Sequence, residues 1–423
     1  MMTATTRAHF CDAKNTPTVP AAFWEHFVSL SQDKTQPVVI EQGALIEPLL
    51  SLEDVFELAR NVVESGDMTV NADGQMLKQP SVPGFPQAFD GFEQFVRDFA
   101  ALNDAEGITF TRDYCLKHSS TVAKKLRAFT HGYIERYGMP YPGANAVFIG
   151  GRYRSTWIGL HNDSCDTFLL PLYGRKRMMI WPPAYFDEMA LERKSALNGV
   201  CFGHIDVSPY AADATIYEVE AGEIFFIPAG WWHYNKLEAL ETTLTVSVGM
   251  FSHGTAQGFC ENPIKAAMAS NAASTQTGAI APVPAGVFGS LADVELPAPV
   301  AQFIDTIRDN SKIQMLLKLS ANGIIRDRAL GRSADVAFSQ AAIQARADSP
   351  LYLLVLNEQA GLLFAAGAML RVQQLSTVRA LISALQRGGA VVLGEVLAVP
   401  ADTDEVLAVV RWLYDQAAID TFV

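Results

Sequence analysis

The sequence predicts a mainly β core, folded as an antiparallel sandwich or barrel, with helices before it and a smaller α+β unit after it. Between residues 145 and 249, short apolar and β-branched runs alternate with turn residues, as is typical of antiparallel strands. Residues 21–30 and 51–64 instead carry apolar residues at helical spacing. The length of 423 residues favours two domains over one.

The N-terminal part is predicted to be helical with one buried strand. Ser51 followed by Asp54 indicates a capping start for the second helix. The segment QPVVIEQG (36–43) predicts a short buried strand, and the Pro- and Gly-rich segment 79–91 predicts a loop. A further amphipathic helix is predicted over residues 120–137.

The central stretch holds the predicted strands. Its apolar runs are short, and Gly or Pro follows each of them, which predicts strands joined by turns. The runs are AVFIGG (146–151), TFLLPLYG (167–174), RKRMMIWPP (175–183), TIYEVEAG (215–222), EIFFIPAG (223–230) and TLTVSVG (243–249).

Composition divides the rest of the chain. Residues 266–293 are rich in Ala, Ser, Thr, Gly and Pro, which is the composition of a linker. We therefore predict one domain over 1–265, a linker over 266–296 and a second domain over 297–423. In the second domain, the runs LYLLVLN and GLLFAAG predict two strands, and the whole resembles a small winged-helix-like α+β domain. Helical patterns cover about 297–320, 333–347, 374–387 and 402–416.

The first helix of this second domain predicts a homodimer. Over residues 300–319 it is apolar on more than one face, and a helix too apolar for one contact surface often buries a second against a partner subunit. The alternative is that the domain's own core covers both faces.

Charge and composition exclude several classes of protein. The net charge is −13, and residues 297–423 hold 11 Lys and Arg against 12 Asp and Glu, so nothing attracts nucleic acid at long range. Five scattered cysteines without a CxxC pair argue against a disulfide framework or a structural zinc site. The N-terminus lacks a signal peptide's apolar segment, and polar residues interrupt the apolar stretch 351–370. We expect a cytoplasmic protein that binds neither nucleic acid nor membrane.

Two histidines and one aspartate form the pattern of a metal site. His161 and Asp163 follow a strand-like segment, and alternate strand residues project from one face, so these side chains point together. Further along, an apolar strand and a Pro-Ala-Gly turn precede His233. Two imidazoles and one carboxylate on one face of an octahedral ion are typical of non-haem Fe(II) oxygenases. For His161 alone, a structural role is the alternative, because HxD triplets are common. We call these three residues the triad.

Two blocks of sequence resemble the JmjC-type, cupin-like (cupin_8 type) oxygenases. LHNDSCDTFLLPLYGRKRMMIWPP (160–183) resembles the family's metal-binding strand pair, in which an HxD precedes a Gly-x-Lys turn and an aromatic-Pro-Pro end. AGEIFFIPAGWWHYNKLE (221–238) resembles the block around the family's distal histidine. The resemblance covers about residues 145–250. It implies a double-stranded β-helix, also called a cupin or jelly-roll barrel, in which the triad binds Fe(II).

The resemblance also implies that 2-oxoglutarate and O2 are cosubstrates. Lys176 stands at the position of the family's lysine that pairs with the far carboxylate of 2-oxoglutarate. Strand alternation places Lys176 on one face with Met178 and Ile180, where an unpaired ammonium would be costly to bury. The alternative is that Arg175, Lys176 and Arg177 form a solvated turn.

Several positions depart from the family's pattern. Ile158 stands where the family often has a hydroxyl that contacts 2-oxoglutarate, and Thr156 replaces it only if the strand register shifts. Thr167 stands where many relatives carry Asn, and its hydroxyl is the predicted replacement. Ser247 stands on the last strand at a position often held by a small polar residue. Thr167 and Ser247 join Lys176 as candidate cosubstrate ligands.

Other residues near these blocks have structural interpretations. Cys165 is predicted to be a small core residue. Trp231 and Trp232 are predicted to pack the barrel and to keep water from the metal, with substrate contact as the alternative. His204 and Asp206 are expected in a solvated loop, with a role at the substrate mouth as the alternative.

The residues and the resemblance together predict an Fe(II)- and 2-oxoglutarate-dependent dioxygenase that hydroxylates a protein or peptide side chain. Hydroxylation or N-demethylation of a small metabolite is the second possibility, because the loops that select a substrate carry no readable code. A cupin module that binds metal without turnover is the third, and the complete triad with Lys176 argues against it. The domain layout is similar to that of ribosomal-oxygenase-type hydroxylases, by analogy alone.

Overall fold

Four helices lie among the first strands and pack on one face of a large antiparallel sheet. They are α1 (Ala21–Leu30), α2 (Leu52–Ser65), α3 (Phe92–Ala101) and α4 (Ser120–Tyr137). The predicted capping box begins α2: Ser51 Oγ accepts from the Asp54 amide, and the Asp54 carboxylate accepts from the Ser51 amide. The computed structural model describes residues 19–41, 49–140, 143–156, 158–189, 194–196, 199–203, 205–251, 263–265, 267–268, 298–324, 338, 342–346, 348–393, 403–416 and 418–422.

Aromatic side chains join the helices to the sheet. Phe27 of α1 is fully buried, and its ring centroid lies 5.4 Å from that of Phe168 and 4.8 Å from that of Phe226. Trp24 and Phe129 contact the same Phe168 ring from α1 and α4. Burial of each such ring contributes about 1.5–3 kcal/mol, so this face anchors the helices against the barrel.

In the part of the chain that the structure describes, thirteen antiparallel strands form the double-stranded β-helix, and the longest strand belongs to both of its sheets. One sheet has the order β1-β12-β7-β13-β5-β4-β2-β3, and the other has the order β11-β8-β13-β6-β10-β9, with the residue bounds that follow. The strands are β1 (Val38–Glu41), β2 (Thr69–Ala72), β3 (Gln75–Leu77), β4 (Ile108–Arg112), β5 (Ala144–Ser155), β6 (Leu160–Asp163), β7 (Asp166–Tyr173), β8 (Lys176–Trp181), β9 (Lys194–Ala196), β10 (Gly199–Gly203), β11 (Thr215–Val219), β12 (Glu223–Ile227) and β13 (Trp232–Met250).

Strand β13 passes from one sheet to the other. Its pairing with β5 has a register shift between Lys236 and Glu241. Its first residues pair with β6 and β8, and its later residues pair with β5 and β7. Leu244, Val246 and Val248 face the helix-covered core, so the alternate residues of β13 face the barrel interior. A second, smaller apolar cluster fills part of that interior and contains Leu169, Met178, Ile180, Val219, Phe225 and Ile227.

The sequence patterns located most of the N-terminal elements. Helices α1 and α4 span the predicted residues, α2 is shifted by one residue, and β1 lies inside the predicted strand segment. The patterns did not indicate α3 or the strands β2, β3 and β4. These three strands have only three to five residues each, too few for alternation to stand out.

The C-terminal part is α+β, as predicted, and has its own apolar core between Phe338 and Ile419. Its strands form two three-stranded sheets, with the orders β18-β14-β19 and β15-β16-β17. Across the described segments, every helix is too short or too polar to span a lipid bilayer. The elements are α5 (Ala298–Ser320), β14 (Ala342–Ala345), β15 (Tyr352–Val355), β16 (Gly361–Ala365), β17 (Ala368–Val372), α6 (Leu375–Gln386), β18 (Val391–Val392), α7 (Thr403–Asp415) and β19 (Ile419–Phe422).

Two predictions for this part need correction. The helix predicted over 333–347 is wrong at 342–345, which form the central strand β14 with Ile343 fully buried, and residues 333–337 and 339–341 lie outside the described part of the chain. The predicted two-stranded wing gains a third strand, β17, through a turn at Ala366 and Gly367, whose φ angles of 50° and 81° suit a two-residue hairpin. The predicted linker lies outside the described residues apart from 267–268, so the domain boundaries remain a prediction.

The two parts of the chain meet at buried polar groups. Arg127 of α4 is fully buried, and its Nε lies 3.3 Å from Asp348 Oδ2. Asn322 Nδ2 donates to the Asp348 carbonyl at 2.6 Å. The Ala144 amide, at the start of β5, donates to the Gly323 carbonyl at 2.6 Å. These bonds fix the end of α5 against the barrel.

Candidate active site

Strands β6 and β13 bring the predicted triad together. In their antiparallel register, His233 lies directly opposite His161. Asp163 is two residues further along β6 and projects from the same face. The imidazole centroids are 4.1 Å apart, and His233 Nε2 lies 3.7 Å from Asp163 Oδ2. In the described part of the chain, this is the one group of three metal-binding side chains whose ligand atoms all lie within 4.8 Å of one another.

Backbone carbonyls orient both imidazoles. His161 Nδ1 lies 2.9 Å from the Gly159 carbonyl oxygen, and His233 Nδ1 lies 3.0 Å from the Trp231 carbonyl oxygen. Because a carbonyl oxygen only accepts a hydrogen bond, each Nδ1 carries the proton and donates it. Each Nε2 therefore keeps a free lone pair, which is the arrangement a metal-binding histidine needs.

Burial keeps His233 neutral. It lowers the pKa of His233 to about 4, and the neighbouring His161 lowers this pKa as well, whereas Asp163 and the Trp231 carbonyl raise it. At neutral pH the imidazole is therefore unprotonated on Nε2. A metal ion does not have to displace a proton there.

The turn before His233 is tied to the strand that carries the other two ligands. Gly230 has a φ of 84°, a left-handed conformation that favours glycine. Its amide donates to the Asp163 carbonyl at 2.7 Å, and the preceding Ala229 amide donates to Asp166 Oδ1 at 3.0 Å. The turn that leads to the third ligand is thus bound to the backbone of Asp163, itself a predicted ligand, and to the side chain of Asp166 on β7.

The donor set fits a divalent transition metal. Two neutral imidazoles and one carboxylate gathered on one side match the facial arrangement found with non-haem Fe(II). Three ligands on one face of an octahedral ion leave the coordination positions on the opposite face for small ligands. The three predicted ligands therefore form one site that suits Fe(II).

Lys176 is buried at the start of β8, with 2% of its surface exposed. Its ammonium donates to the Tyr153 hydroxyl and lies 4.8 Å from the centroid of that ring. The Tyr153 hydroxyl is in turn 2.8 Å from Thr243 Oγ1. The ammonium therefore faces hydroxyl groups inside the barrel, as strand alternation predicts for this position, and does not lie in a solvated turn.

The arginines on either side of Lys176 point outward. Arg175 Nη2 pairs with Glu241 at 2.8 Å, and Arg177 Nε pairs with Glu218 at 3.0 Å. These surface pairs contribute little to stability. Among the described residues, no carboxylate lies within ion-pair distance of Lys176, so its ammonium lacks a countercharge there.

Two further polar side chains in the barrel have unused hydrogen-bonding capacity. Asn235 follows His233 by two residues and shares its face of β13, and neither amide atom has a partner among the described residues. Thr245 Oγ1 also lacks one there. Both residues are buried, and buried polar groups normally find partners. Together with Lys176 and the triad, they suit a small dicarboxylate such as 2-oxoglutarate.

The other candidate cosubstrate ligands lie on the same interior face. Thr167 is buried on β7, and its Oγ1 lies 3.5 Å from Cys165 Sγ. Ser247 is half-buried on β13, opposite Leu169. Ile158 is half-buried two residues before β6, and Thr156 is half-buried as well. The roles of Thr167 and Ser247 remain predictions.

Sequence reasoning missed Tyr153, Asn235 and Thr245. Asn235 carried a usable signal, because it follows His233 by two residues in a strand. Thr245 precedes Ser247 by two residues and carried the same signal. Tyr153 had none, since only the pairing of β5 with β13 brings it beside Thr243.

The predicted burial of Cys165 and Trp232 and the predicted exposure of Asp206 are confirmed. Cys165 is buried, and burial raises the pKa of its thiol well above the usual range. Trp232 is buried and stacks on Phe202 with centroids 4.7 Å apart. Asp206 is exposed and accepts from the Ser208 amide at 2.9 Å, as in a solvated turn. His204 lies outside the described residues.

Fold and triad define the class of protein: a double-stranded β-helix with a facial site for a divalent metal. The model of the Cupin-like domain family matches residues 25–251, more than half of the chain. The chain belongs to this family.

Curated proteins and solved structures give further similarities. The chain is 32% identical over 106 residues to tRNA wybutosine-synthesizing protein 5 of Gallus gallus, a match that covers 23% of this chain and spans about a third (33%) of that protein's length. It is similar to the X-ray structure of E. coli YcfD, with 16% identity, a TM-score of 0.49, and coverage of 96% of this chain and 99% of that chain. A structure of YcfD, a ribosomal oxygenase from Escherichia coli, in complex with cobalt and 2-oxoglutarate has the same identity and coverage, with a TM-score of 0.47.

Proposed function

We propose that this chain is an Fe(II)- and 2-oxoglutarate-dependent oxygenase that hydroxylates a protein or peptide side chain. One observation carries the proposal: the triad shares its barrel with the buried Lys176, which has no carboxylate partner among the described residues. Fe(II), 2-oxoglutarate and O2 supply the insertion of one oxygen atom into a substrate C–H bond, while the other oxygen atom enters succinate and CO2 leaves.

The chain's own residues have distinct roles in this proposal. His161, Asp163 and His233 hold the metal through two Nε2 atoms and one carboxylate. Lys176 binds the far carboxylate of 2-oxoglutarate, and the Tyr153 hydroxyl holds the ammonium in place. Asn235 and Thr245 gain the hydrogen-bond partners that they lack among the described residues.

Aromatic side chains behind the triad exclude water. Trp232 lies on the opposite face of β13 from His233, and Trp181 faces the same side from β8. Both indoles are buried, and each donates its N–H to a backbone carbonyl, Trp181 to Tyr210 and Trp232 to Pro183. This apolar layer lowers the local dielectric around the metal ligands.

Release of succinate from 2-oxoglutarate by the Fe(II)-loaded protein tests the proposal. We expect release that depends on O2 and Fe(II), and that increases when a substrate is present. His233→Ala serves as the matched control and should release none. A wild-type protein that binds Fe(II) but releases no succinate with any fraction of cell extract would leave a metal-binding cupin without turnover.

Separate fractions of cell extract decide the substrate class. We expect peptides to increase succinate release, with a mass increase of one oxygen atom on the peptide. Small metabolites are the alternative, including N-methyl compounds that release formaldehyde. Transfer RNA is tested as a third candidate substrate, because the similar Gallus gallus protein is named a tRNA wybutosine-synthesizing protein. The net charge of −13 disfavours such a polyanionic substrate. A cytoplasmic location stays a prediction.

The same proposal includes a homodimer formed through the C-terminal part. Helix α5 is largely uncovered: Ile304 and Met315 are exposed by 47% and 45%, and from Val300 to Leu319 no residue is buried. An exposed apolar helix face of this kind is typical of a surface that contacts another protein. The uncovered face supports a second copy of the chain as the partner.

Light scattering on the full chain tests the dimer. We expect a dimer for the wild type and a monomer for the double variant Ile304→Glu/Met315→Glu, because two buried charges oppose the contact. Gln302→Glu adds a charge at an exposed polar position of the same helix and should remain dimeric. A monomeric wild type overturns this part of the proposal.

A further inference from the structure

We infer that a network of Lys34, Tyr133 and Asp166 positions the turn that precedes His233, and thereby sets the affinity of the triad for its metal. These are positioning residues, since none of them belongs to the triad. The inference rests on the metal site proposed above and extends it to a part of the chain far away in sequence.

Asp166 is the centre of the network. It is 4% exposed, and both of its carboxylate oxygens accept hydrogen bonds. Oδ2 accepts from the Tyr133 hydroxyl at 2.7 Å and from Lys34 Nζ at 2.9 Å. Oδ1 accepts from the Ala229 amide at 3.0 Å. One carboxylate thus joins α4 and the turn after α1 to the turn that leads to the third ligand.

The turn is held from two sides. Asp166 binds the Ala229 amide, and the Asp163 carbonyl binds the next amide, that of Gly230, at 2.7 Å. His233 follows three residues later, with its Nδ1 fixed by the Trp231 carbonyl. A shift of Asp166 would therefore move the turn relative to β6 and change the distance between His233 and Asp163.

Lys34 lies in a strained turn that places its ammonium beside the Asp166 carboxylate. Gln32, Asp33 and Lys34 have φ angles of 48°, 56° and 66°, three consecutive non-glycine residues in the left-handed region. Ser31 is fully buried and holds the turn, because its Oγ accepts from the Lys34 amide at 3.0 Å. The Lys34 ammonium also lies 4.4 Å from the ring centroid of Tyr137. Strain of this kind persists where the surrounding structure selects one geometry, and such sites are often functional.

A second lysine–aspartate pair provides a comparison within the same helices. Lys125 Nζ lies 2.6 Å from Asp54 Oδ2, and the exposures of the two side chains are 13% and 12%. This pair joins α4 to the start of α2 and, among the described residues, makes no hydrogen bond or ion pair with the turn before His233. Lys34 and Asp166 are similarly shielded, at 21% and 5%. The two pairs therefore differ chiefly in whether they reach the metal-site turn.

Co(II) titration of the metal-free full chain tests the inference, with the dissociation constant and the visible d–d spectrum as readouts. We expect Asp166→Asn to weaken Co(II) binding by about tenfold or more and to change the spectrum, as loss of an outer contact to a metal site typically does. Tyr133→Phe and Lys34→Met should weaken binding by a smaller factor, about threefold, in proportion to the contacts removed. Lys125→Met should lower the unfolding temperature while binding Co(II) as the wild type does.

The outcomes separate a positioning role from a structural one. If the variants unfold at lower temperature but keep the wild-type dissociation constant and spectrum, the network is structural and the inference is wrong. Tyr133→Phe removes one hydroxyl and decides the matter if Asp166→Asn does not fold. If His233→Ala binds Co(II) as tightly as the wild type does, the proposed metal site and this inference are both wrong. If His233→Ala abolishes Co(II) binding while the Asp166, Tyr133 and Lys34 variants bind Co(II) as the wild type does, only this inference is wrong.

Discussion

The barrel interior and the C-terminal part both bury charged groups, but they pair them differently. In the barrel, the ammonium of Lys176 has the Tyr153 hydroxyl as its partner and no nearby carboxylate among the described residues. In the C-terminal part, Arg346 is buried between two carboxylates, with Nε 3.0 Å from Asp348 and Nη1 3.4 Å from Asp420. The first arrangement lacks a negative charge, and the second already contains it.

This difference in charge pairing distinguishes a ligand-binding site from a structural ion-pair cluster. A buried charge without a countercharge costs several kcal/mol, so a fold retains it where a ligand supplies the missing partner. Burial raises the pKa of Asp348, but Arg127 and Arg346 outweigh burial and hold that pKa below its usual value. Asp348 is therefore ionised and fully used by the fold, whereas Lys176 remains available to an anion.

The largest expected effect is on turnover. His161→Ala, Asp163→Ala and His233→Ala should each abolish Fe(II)-dependent release of succinate, because each removes one of the three proposed bonds from the chain to the metal. Circular dichroism and the unfolding temperature should show that the variants stay folded. Full activity in His233→Ala would mean that the third ligand lies elsewhere in the chain.

A substitution in the buried charge cluster of Arg346, Asp348 and Asp420 should change the free energy of unfolding and leave ligand binding unchanged. Asp348→Asn leaves Arg346 and Arg127 short of a countercharge, and removal of one partner from a buried ion pair costs about 3–5 kcal/mol. Urea unfolding of the metal-free protein measures the change. The affinity of the folded protein for 2-oxoglutarate should stay at the wild-type value. A loss of that affinity without a loss of stability would contradict the contrast between scaffold and site.

Lys176→Met should show the opposite behaviour. We expect 2-oxoglutarate binding to the metal-loaded protein to weaken by about 1.5–3 kcal/mol, roughly tenfold or more, because a charge-assisted contact is lost. Stability without ligand should stay constant or rise, since an ammonium without a countercharge leaves the interior. Arg175→Met, at the neighbouring outward position, is the matched control and should leave the affinity unchanged. Unchanged affinity in Lys176→Met would mean that another cation binds the far carboxylate, with Arg154 as the next candidate.

The smallest expected effect is on the pH dependence of stability. The pKa of His233 is about 4 in the folded protein and about 6.5 in an unfolded chain, so the unfolded state binds more protons between these values. The metal-free protein should therefore be most stable above about pH 6.5 and lose stability as the pH falls towards 4. His233→Ala should flatten the dependence in this window, as urea midpoints at pH 7 and pH 5 would show. Asp348, with its lowered pKa, should contribute only at more acidic pH.

Much of the candidate site could be predicted from the sequence. The spacing of His161 and Asp163 on a strand placed both on one face, and the inward position of Lys176 followed from alternation with Met178 and Ile180. Both inferences rely on the two-residue period of a strand, which is a local property. The network at Asp166 could not be predicted in this way, because Tyr133 of α4 and Lys34 of the turn after α1 are more than thirty residues away from it in the chain.

Local periodicity by itself determined the helices α1, α2 and α4 and the strand-rich centre of this protein. Pairing between distant segments was decided only in the tertiary structure: it joined His233 to His161, moved Tyr153 beside Lys176, and made residues 342–345 a strand between two others. The physical reason is that a strand's side-chain alternation is encoded locally, whereas its neighbours and register depend on which apolar faces meet. A short segment such as 342–345 becomes a strand because partners on both sides satisfy its backbone, a choice that its own residues do not determine.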